Sequence, residues 1–189
     1  MNGQYQIKYY KGEYRDRQRA ANADKAIVYV EHHFNSTDNP SADYACVVVG
    51  SNAGRVSREF GQAYAKSVAK VFGCKIGGAN GLLIGGYNGR GDGNIKHTNM
   101  PAVLLEPLFC SNPKQAAHIR SEEGRNALAH ILADTIKHFF PDGGLIAFSV
   151  GHKYKTSKPN DRGAAVHGGG TEADYAEDVL QRAEVLLTA

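Results

Sequence analysis

Short β-branched apolar runs alternate along the chain with longer stretches at helical spacing. Tyr5 to Tyr10 alternates as a short strand of the kind found at a sheet edge. Glu13 to Ala23, rich in charge through Glu13, Arg15, Asp16, Arg17 and Arg19, predicts a helix with one solvated face. Ala26 to Val30 is apolar enough for a buried strand and turns polar within one residue, at Glu31-His32-His33. Tyr44 to Val49 is a second buried strand, closed by Gly50. Ser57 is a suitable cap for a helix reaching about Phe72, with Phe60, Tyr64, Val68 and Val71 on one stripe.

The second half repeats the pattern. Ala102 to Leu105 is a strand ending in Glu106, and Asn112-Pro113 opens a helix with Pro at its first position. Ser121 starts another helix, whose stripe runs through Leu128, Ile131, Leu132, Ile136, Phe139 and Phe140 until Pro141-Asp142-Gly143-Gly144 stops it. Leu145 to Val150 is again a strand, ending in Gly151-His152. Thr171, with Asp174 three residues on, caps a last helix that turns Tyr175, Val179, Ala183 and Leu186 inward. Strands alternating with helices predict an α/β fold, a single domain over residues 1–189 with a mostly parallel or mixed sheet flanked by helices.

Composition narrows the function classes. The 42% apolar content is that of a globular chain, and no apolar run is long enough to span a bilayer. The start, Met1-Asn2-Gly3-Gln4-Tyr5, lacks the basic-then-apolar pattern of a signal peptide, so the expectation is a protein not exported by that route. A net charge of +3 suits an acidic polymer but is too small to argue for nucleic acid, and no nucleic-acid motif is present. The cysteines Cys46, Cys74 and Cys110 are odd in number and widely spaced, as buried thiols are, so a bound metal would need histidine and carboxylate ligands.

The glycine-rich stretch Gly77 to Gly93 matches neither a P-loop nor a dinucleotide fingerprint, and reads as a flexible surface loop beside a site. The chemistry lies at the strand ends. Three apolar strands end in His33, Glu106 and His152, and in a mainly parallel sheet such ends share one edge. Glu172 occupies the first turn of the last helix, where the dipole favours a carboxylate. Glu31 and His33 share one strand face and His32 takes the other, so at most one of the two histidines enters a given site. Two histidines and a carboxylate with an open fourth position suit a catalytic zinc, which lowers the pKa of a bound water towards about 7. A second carboxylate nearby could carry that water's proton to a leaving amine, so the inventory suits metal-assisted amide hydrolysis.

The motifs point further. Val150-Gly151-His152, Asp161-Arg162-Gly163-Ala164 and Thr171-Glu172-Ala173-Asp174 resemble the opening of zinc-dependent N-acetylmuramoyl-L-alanine amidases. Arg19-Ala20-Ala21-Asn22 with His33-Phe34-Asn35, and Pro101 to Glu106 with Phe109, Ser111 and Asn112, resemble their later motifs. The resemblance implies a phosphorylase/hydrolase-like α/β fold. It implies His33, Glu172 and His152 as zinc (Zn2+) ligands, with Glu106 as the catalytic carboxylate, and so selects His33 over His32. It implies a substrate too, the lactyl-L-alanine amide of peptidoglycan. The motif order is rotated, since the segments that open the family come last here, which implies circular permutation with a joint near residues 141–144.

Two departures stand out. Lys153-Tyr154 replaces the usual glycine pair after His152, which suggests a reshaped loop. Glu31 replaces a common small serine, either to orient a ligand or merely to point outward. His32, His97 and His167 are the remaining candidates for substrate contact, each better read as structural or solvated. The rival functions are a zinc carboxypeptidase acting on the stem peptide and a cell-wall-binding module without turnover. A small enzyme of this kind without a signal peptide suits a phage-type endolysin, held in the cytoplasm until release onto the cell wall.

Overall fold

A computed structural model describes residues 4–189. In chain order the strands are β1 (Tyr5–Tyr9), β2 (Val28–His32), β3 (Tyr44–Val49), β4 (Lys75–Ile76), β5 (Leu82–Ile84), β6 (Gly86–Tyr87), β7 (Arg90–Gly91), β8 (Ala102–Glu106) and β9 (Gly144–Val150). The helices are α1 (Tyr14–Ala23), α2 (Arg55–Phe72), α3 (Pro113–Arg120), α4 (Glu122–Phe139) and α5 (Glu172–Thr188). The main sheet runs β1-β9-β2-β8-β3-β4, with β5 also paired to β3, and β6–β7 form a separate hairpin. β1 lies at the edge, as its alternation predicts.

Register explains where the chemistry gathers. β1, β9, β2 and β8 are mutually parallel, while β3 is antiparallel to β8. His32 pairs with Val150 and with Leu105, so β2, β9 and β8 finish level with one another. The residues that follow these three strands therefore emerge along a single sheet edge. β3 runs the other way and ends at the opposite edge.

Alternation along the strands divides the core into two layers. Val28, Val30, Val103, Leu105, Ile146 and Phe148 point to the larger layer, packed under α2, α4 and α5. Tyr29, Leu104 and Ala147 point the other way, toward α1 and Ile95. Glu31 and Ser149, two residues further along, inherit this second face.

Capping follows the sequence at α3, α4 and α5. Asn112 accepts from the Lys114 and Gln115 amides, Ser121 from Gly124 and Thr171 from Asp174. Three readings need correction. Ser57 is not a cap: α2 begins at Arg55 after Gly54, and the buried Ser57 hydroxyl accepts instead from the Ala102 amide at the start of β8. Val71 stands outside the stripe and is 56% exposed. The glycine-rich stretch does lie beside the site, but it is largely hydrogen-bonded, as β5, the β6–β7 hairpin and a 3-10 turn over Asp92–Asn94. The three cysteines are unpaired, with Cys46 and Cys110 buried. Among the described residues no helix is long and apolar enough to cross a membrane.

Candidate metal centre

The first residues beyond β2 and β9 meet the first turn of α5. His33, His152 and Glu172 offer donor atoms that all lie within 4.8 Å of one another. Nδ1 of His33 is 2.9 Å from Glu172 Oε1, and Nε2 of His152 is 3.2 Å from the same oxygen. The two rings meet edge to face at 4.9 Å. A tetrahedral ion with ligands at about 2.1 Å needs donors roughly 3.4 Å apart, so this set fits a zinc-sized cation with small adjustments.

Both histidines are backed by carboxylates on their other nitrogens. Glu31 Oε1 lies 2.9 Å from His33 Nε2, and Asp161 sets both oxygens 3.2 Å from His152 Nδ1. Asp161 is itself held by Lys155 and by the Gly163 amide. Glu172 accepts from the Ala164 amide at 2.9 Å and the Phe34 amide at 3.3 Å, which fixes its carboxylate.

Two glycines make room for this packing. A methyl group at Gly151 would come within 2.4–2.5 Å of three atoms of the His33 ring. At Gly163, where φ is +70°, it would come within 2.4 Å of Glu172 Oε2. His152 itself has φ +63°, a conformation that costs a non-glycine residue energy and gathers at functional sites. Its amide donates to the Tyr14 hydroxyl at 2.8 Å. The loop after it is tied down in its own way: Lys153 bridges Asp174 and Glu177 of α5, and the Tyr154 hydroxyl also reaches Glu177.

The electrostatics follow from burial and pairing. Burial opposes a charged His33, but hydrogen bonds to Glu172 and Glu31 outweigh it and push its pKa up to about 10. Burial likewise opposes ionised Glu172, yet hydrogen bonds from His152 and His33 hold its carboxyl well below the usual range. Glu106, at the end of β8, lines the same cavity. Its Oε2 is buried without a hydrogen-bond partner among the described residues, and burial pushes its pKa up to about 7. The cavity has a volume of about 910 Å³, walled by Tyr14, Tyr44, Phe109 and Lys155 and, from the β6–β7 hairpin, by Tyr87 and Arg90.

The other candidates lie elsewhere. His32 points into the larger core layer with its ring 5.0 Å from Phe34, and burial keeps it neutral, with a pKa of about 3. His97 is engaged through its backbone with Gln18 and Asn22, and the amide of His167 with Cys110. Neither ring lines the cavity. Sequence reasoning left the role of Glu31 open and missed Asn94, Arg17 and the supporting part played by Asp161. Asp161 stands within a quoted motif, so a signal for it was present.

Comparison with known proteins fits this geometry. The profile of the N-acetylmuramoyl-L-alanine amidase family matches residues 5–138. The chain belongs to this family. The amidase match takes in His33 and Glu106, whereas His152 and Glu172 lie beyond it. An endolysin of Bacillus phage SPP1 is 30% identical over 125 residues, covering 64% of this chain and 43% of that protein. The catalytic domain of the amidase CwlV from Bacillus (Paenibacillus) polymyxa var. colistinus aligns at TM-score 0.53 and 28% identity, over 67% of this chain and 65% of that one. An amidase from Clostridium difficile 630 shares the fold at TM-score 0.56 and 21% identity, over 67% of this chain and 64% of that one. The chain thus spans less than half the length of the phage relative and just under two thirds of the CwlV domain.

Proposed function

We propose that this amidase-family chain is a zinc-dependent N-acetylmuramoyl-L-alanine amidase that cleaves the amide between the lactyl group of muramic acid and the L-alanine of the stem peptide. The observation that carries the reading is the meeting of two carboxylate-backed histidines and Glu172 beside a carboxyl, Glu106, whose pKa stands near 7. His33, His152 and Glu172 would hold zinc. Bound there, zinc supplies Lewis-acid polarisation of the scissile carbonyl and a water of lowered pKa. Glu106 takes the proton of the attacking water and returns it to the departing amine of L-alanine. The aromatic and basic walls of the cavity suit a glycopeptide that carries both sugar rings and carboxylates.

The phage relative favours an endolysin that acts on peptidoglycan from the cytoplasmic side after release. We also propose that the chain is a circular permutant of the usual amidase order. The family match ends at residue 138, and β9, last in sequence among the strands, lies inside the sheet between β1 and β2.

The test is mass analysis of purified peptidoglycan digested by the zinc-loaded protein. Release of stem peptides with a free N-terminal L-alanine supports the amidase. Loss of a terminal residue from stems still attached to the glycan would instead make it a carboxypeptidase, and wall binding without any product would make it a binding module.

A further inference from the structure

We propose that Glu31 is a positioning residue that fixes which nitrogen of His33 faces the metal, and that Asn94 braces it. The inference rests on the reading of His33 as a ligand and goes beyond it. Glu31 is completely buried, an unusual state for a carboxylate without a task. Its Oε1 lies 2.9 Å from His33 Nε2 and accepts from Asn94 Nδ2 at 2.7 Å. Its Oε2 accepts from the Ser149 hydroxyl at 2.9 Å and, more weakly, from the Tyr29 hydroxyl at 3.4 Å.

The direction of each bond follows from the chemistry of the two partners. Arg17 of α1 is completely buried and donates to Ser149 Oγ at 2.9 Å, and to the carbonyls of Gly12, Val150 and Lys153. A guanidinium only donates, so the Ser149 hydroxyl accepts from it and passes its own hydrogen to Glu31. A carboxylate only accepts, so His33 Nε2 must be the nitrogen carrying hydrogen in that contact. The free lone pair of a neutral His33 is then on Nδ1, the atom 2.9 Å from Glu172. Asn94, from the 3-10 turn at the end of the glycine-rich stretch, donates to the same carboxylate oxygen. A serine at position 31 would be too short to span this gap, so the buried Arg17–Ser149–Glu31 relay is tied to the glutamate found in this chain.

Outer partners of this kind typically affect metal affinity by about 10–100-fold. The experiment measures zinc dissociation constants by competition with a chromophoric chelator for wild type, Glu31→Ala, Glu31→Gln, Asn94→Ala and His33→Ala, with thermal melts of each metal-free protein. Glu31→Ala is expected to bind zinc about 10–100-fold more weakly. Glu31→Gln, which keeps an acceptor for Nε2–H, is expected to stay within about threefold of wild type, and Asn94→Ala to fall between the two. If His33→Ala binds zinc as tightly as wild type, the metal reading itself fails. If His33→Ala loses zinc while a folded Glu31→Ala does not, only the positioning role fails. Should Glu31→Ala not fold, long-range 1H–15N spectra of the zinc-loaded wild type decide the matter. Zinc on Nδ1 with hydrogen on Nε2 supports the proposal, and zinc on Nε2 overturns it.

Discussion

His33 and His152 turn opposite ring nitrogens toward one oxygen of Glu172, Nδ1 at 2.9 Å and Nε2 at 3.2 Å. Each ring then has its remaining nitrogen on a carboxylate, Glu31 in one case and Asp161 in the other. The site is built from three separate pieces of chain, yet the two imidazoles are oriented by the same device, a carboxylate on the nitrogen turned away from Glu172, the one that a bound ion would not use.

Metal binding should therefore release protons. His33 has a pKa near 10 in the metal-free protein because its contacts with Glu172 and Glu31 outweigh burial, so at pH 8 it is protonated and must give up that proton to act as a ligand. Calorimetric titration with zinc at pH 8, in buffers of differing ionisation enthalpy, should show about one proton released per ion. Affinity should weaken as pH falls. Zinc binding with no proton release at pH 8 would mean that His33 is already neutral in the metal-free protein, and that its carboxylate contacts do not outweigh burial.

Glu106→Gln should leave zinc affinity close to wild type and lower kcat by about 10²–10⁴-fold, the usual weight of a general acid–base group. Burial raises the Glu106 pKa to about 7 without a metal, and a neighbouring dication lowers it by favouring the ionised form. The base must be ionised to act, so kcat/KM should fall on the acid side with an apparent pKa at or below about 7. A pH–rate profile on soluble muropeptide measures it. An unchanged acid limb in a still-active Glu106→Gln protein would move the proton transfer to another group.

Gly151→Ala tests how tightly His33 is seated. The added methyl would meet His33 ring atoms at 2.4–2.5 Å, far inside contact distance, and the ring cannot retreat because both its nitrogens are held. Overpacking of this kind costs about 1–3 kcal/mol. The variant should melt earlier and bind zinc more weakly, both measurable on the purified protein. Unaltered zinc affinity would mean that the ring has more freedom than its contacts imply.

Much of this site was legible because its residues break a pattern. His33, Glu106 and His152 each follow an apolar strand at the point where it turns polar, and parallel pairing of β2, β8 and β9 then aligns those ends without further information. Arg17 and Glu31 were not legible in the same way. A charged helix reads as solvated, and only the packing of α1 over the sheet buries Arg17 against Ser149, 132 residues away. The glycine-rich stretch misled for a related reason. Its local composition is that of a loop, but β3 offers an edge on which β5 can form a ladder, and tertiary pairing overrides weak β propensity. Ser57 failed as a cap because Gly54 supplied the extended residue earlier, leaving its hydroxyl for β8.

The permutation can be tested by undoing it. The turn joining α4 to β9 is exposed at Pro141 and Asp142, and cuts at such sites are well tolerated. The segments that a new connection must join also lie near that turn. The Gly144 amide donates to the Gln4 carbonyl at 3.0 Å, the Tyr5 hydroxyl to the Phe140 carbonyl at 2.8 Å, and Lys137 Nζ to the Leu186 carbonyl at 2.8 Å. A rearranged chain running from Gly144 through Ala189, then by a short glycine-serine link into Gln4 and on to Phe140, keeps all three contacts. It also turns β9, α5 and β1 into a strand–helix–strand crossover between parallel neighbours, the usual way such strands are joined. The rearranged protein should fold, bind one zinc through His33, His152 and Glu172, and melt within about 2–4 °C of the original, the shift expected for about 1 kcal/mol in a domain of this length. Failure to fold, with the link varied in length, would mean that the present order of segments is required and not merely one of two equivalent cuts through the same family fold.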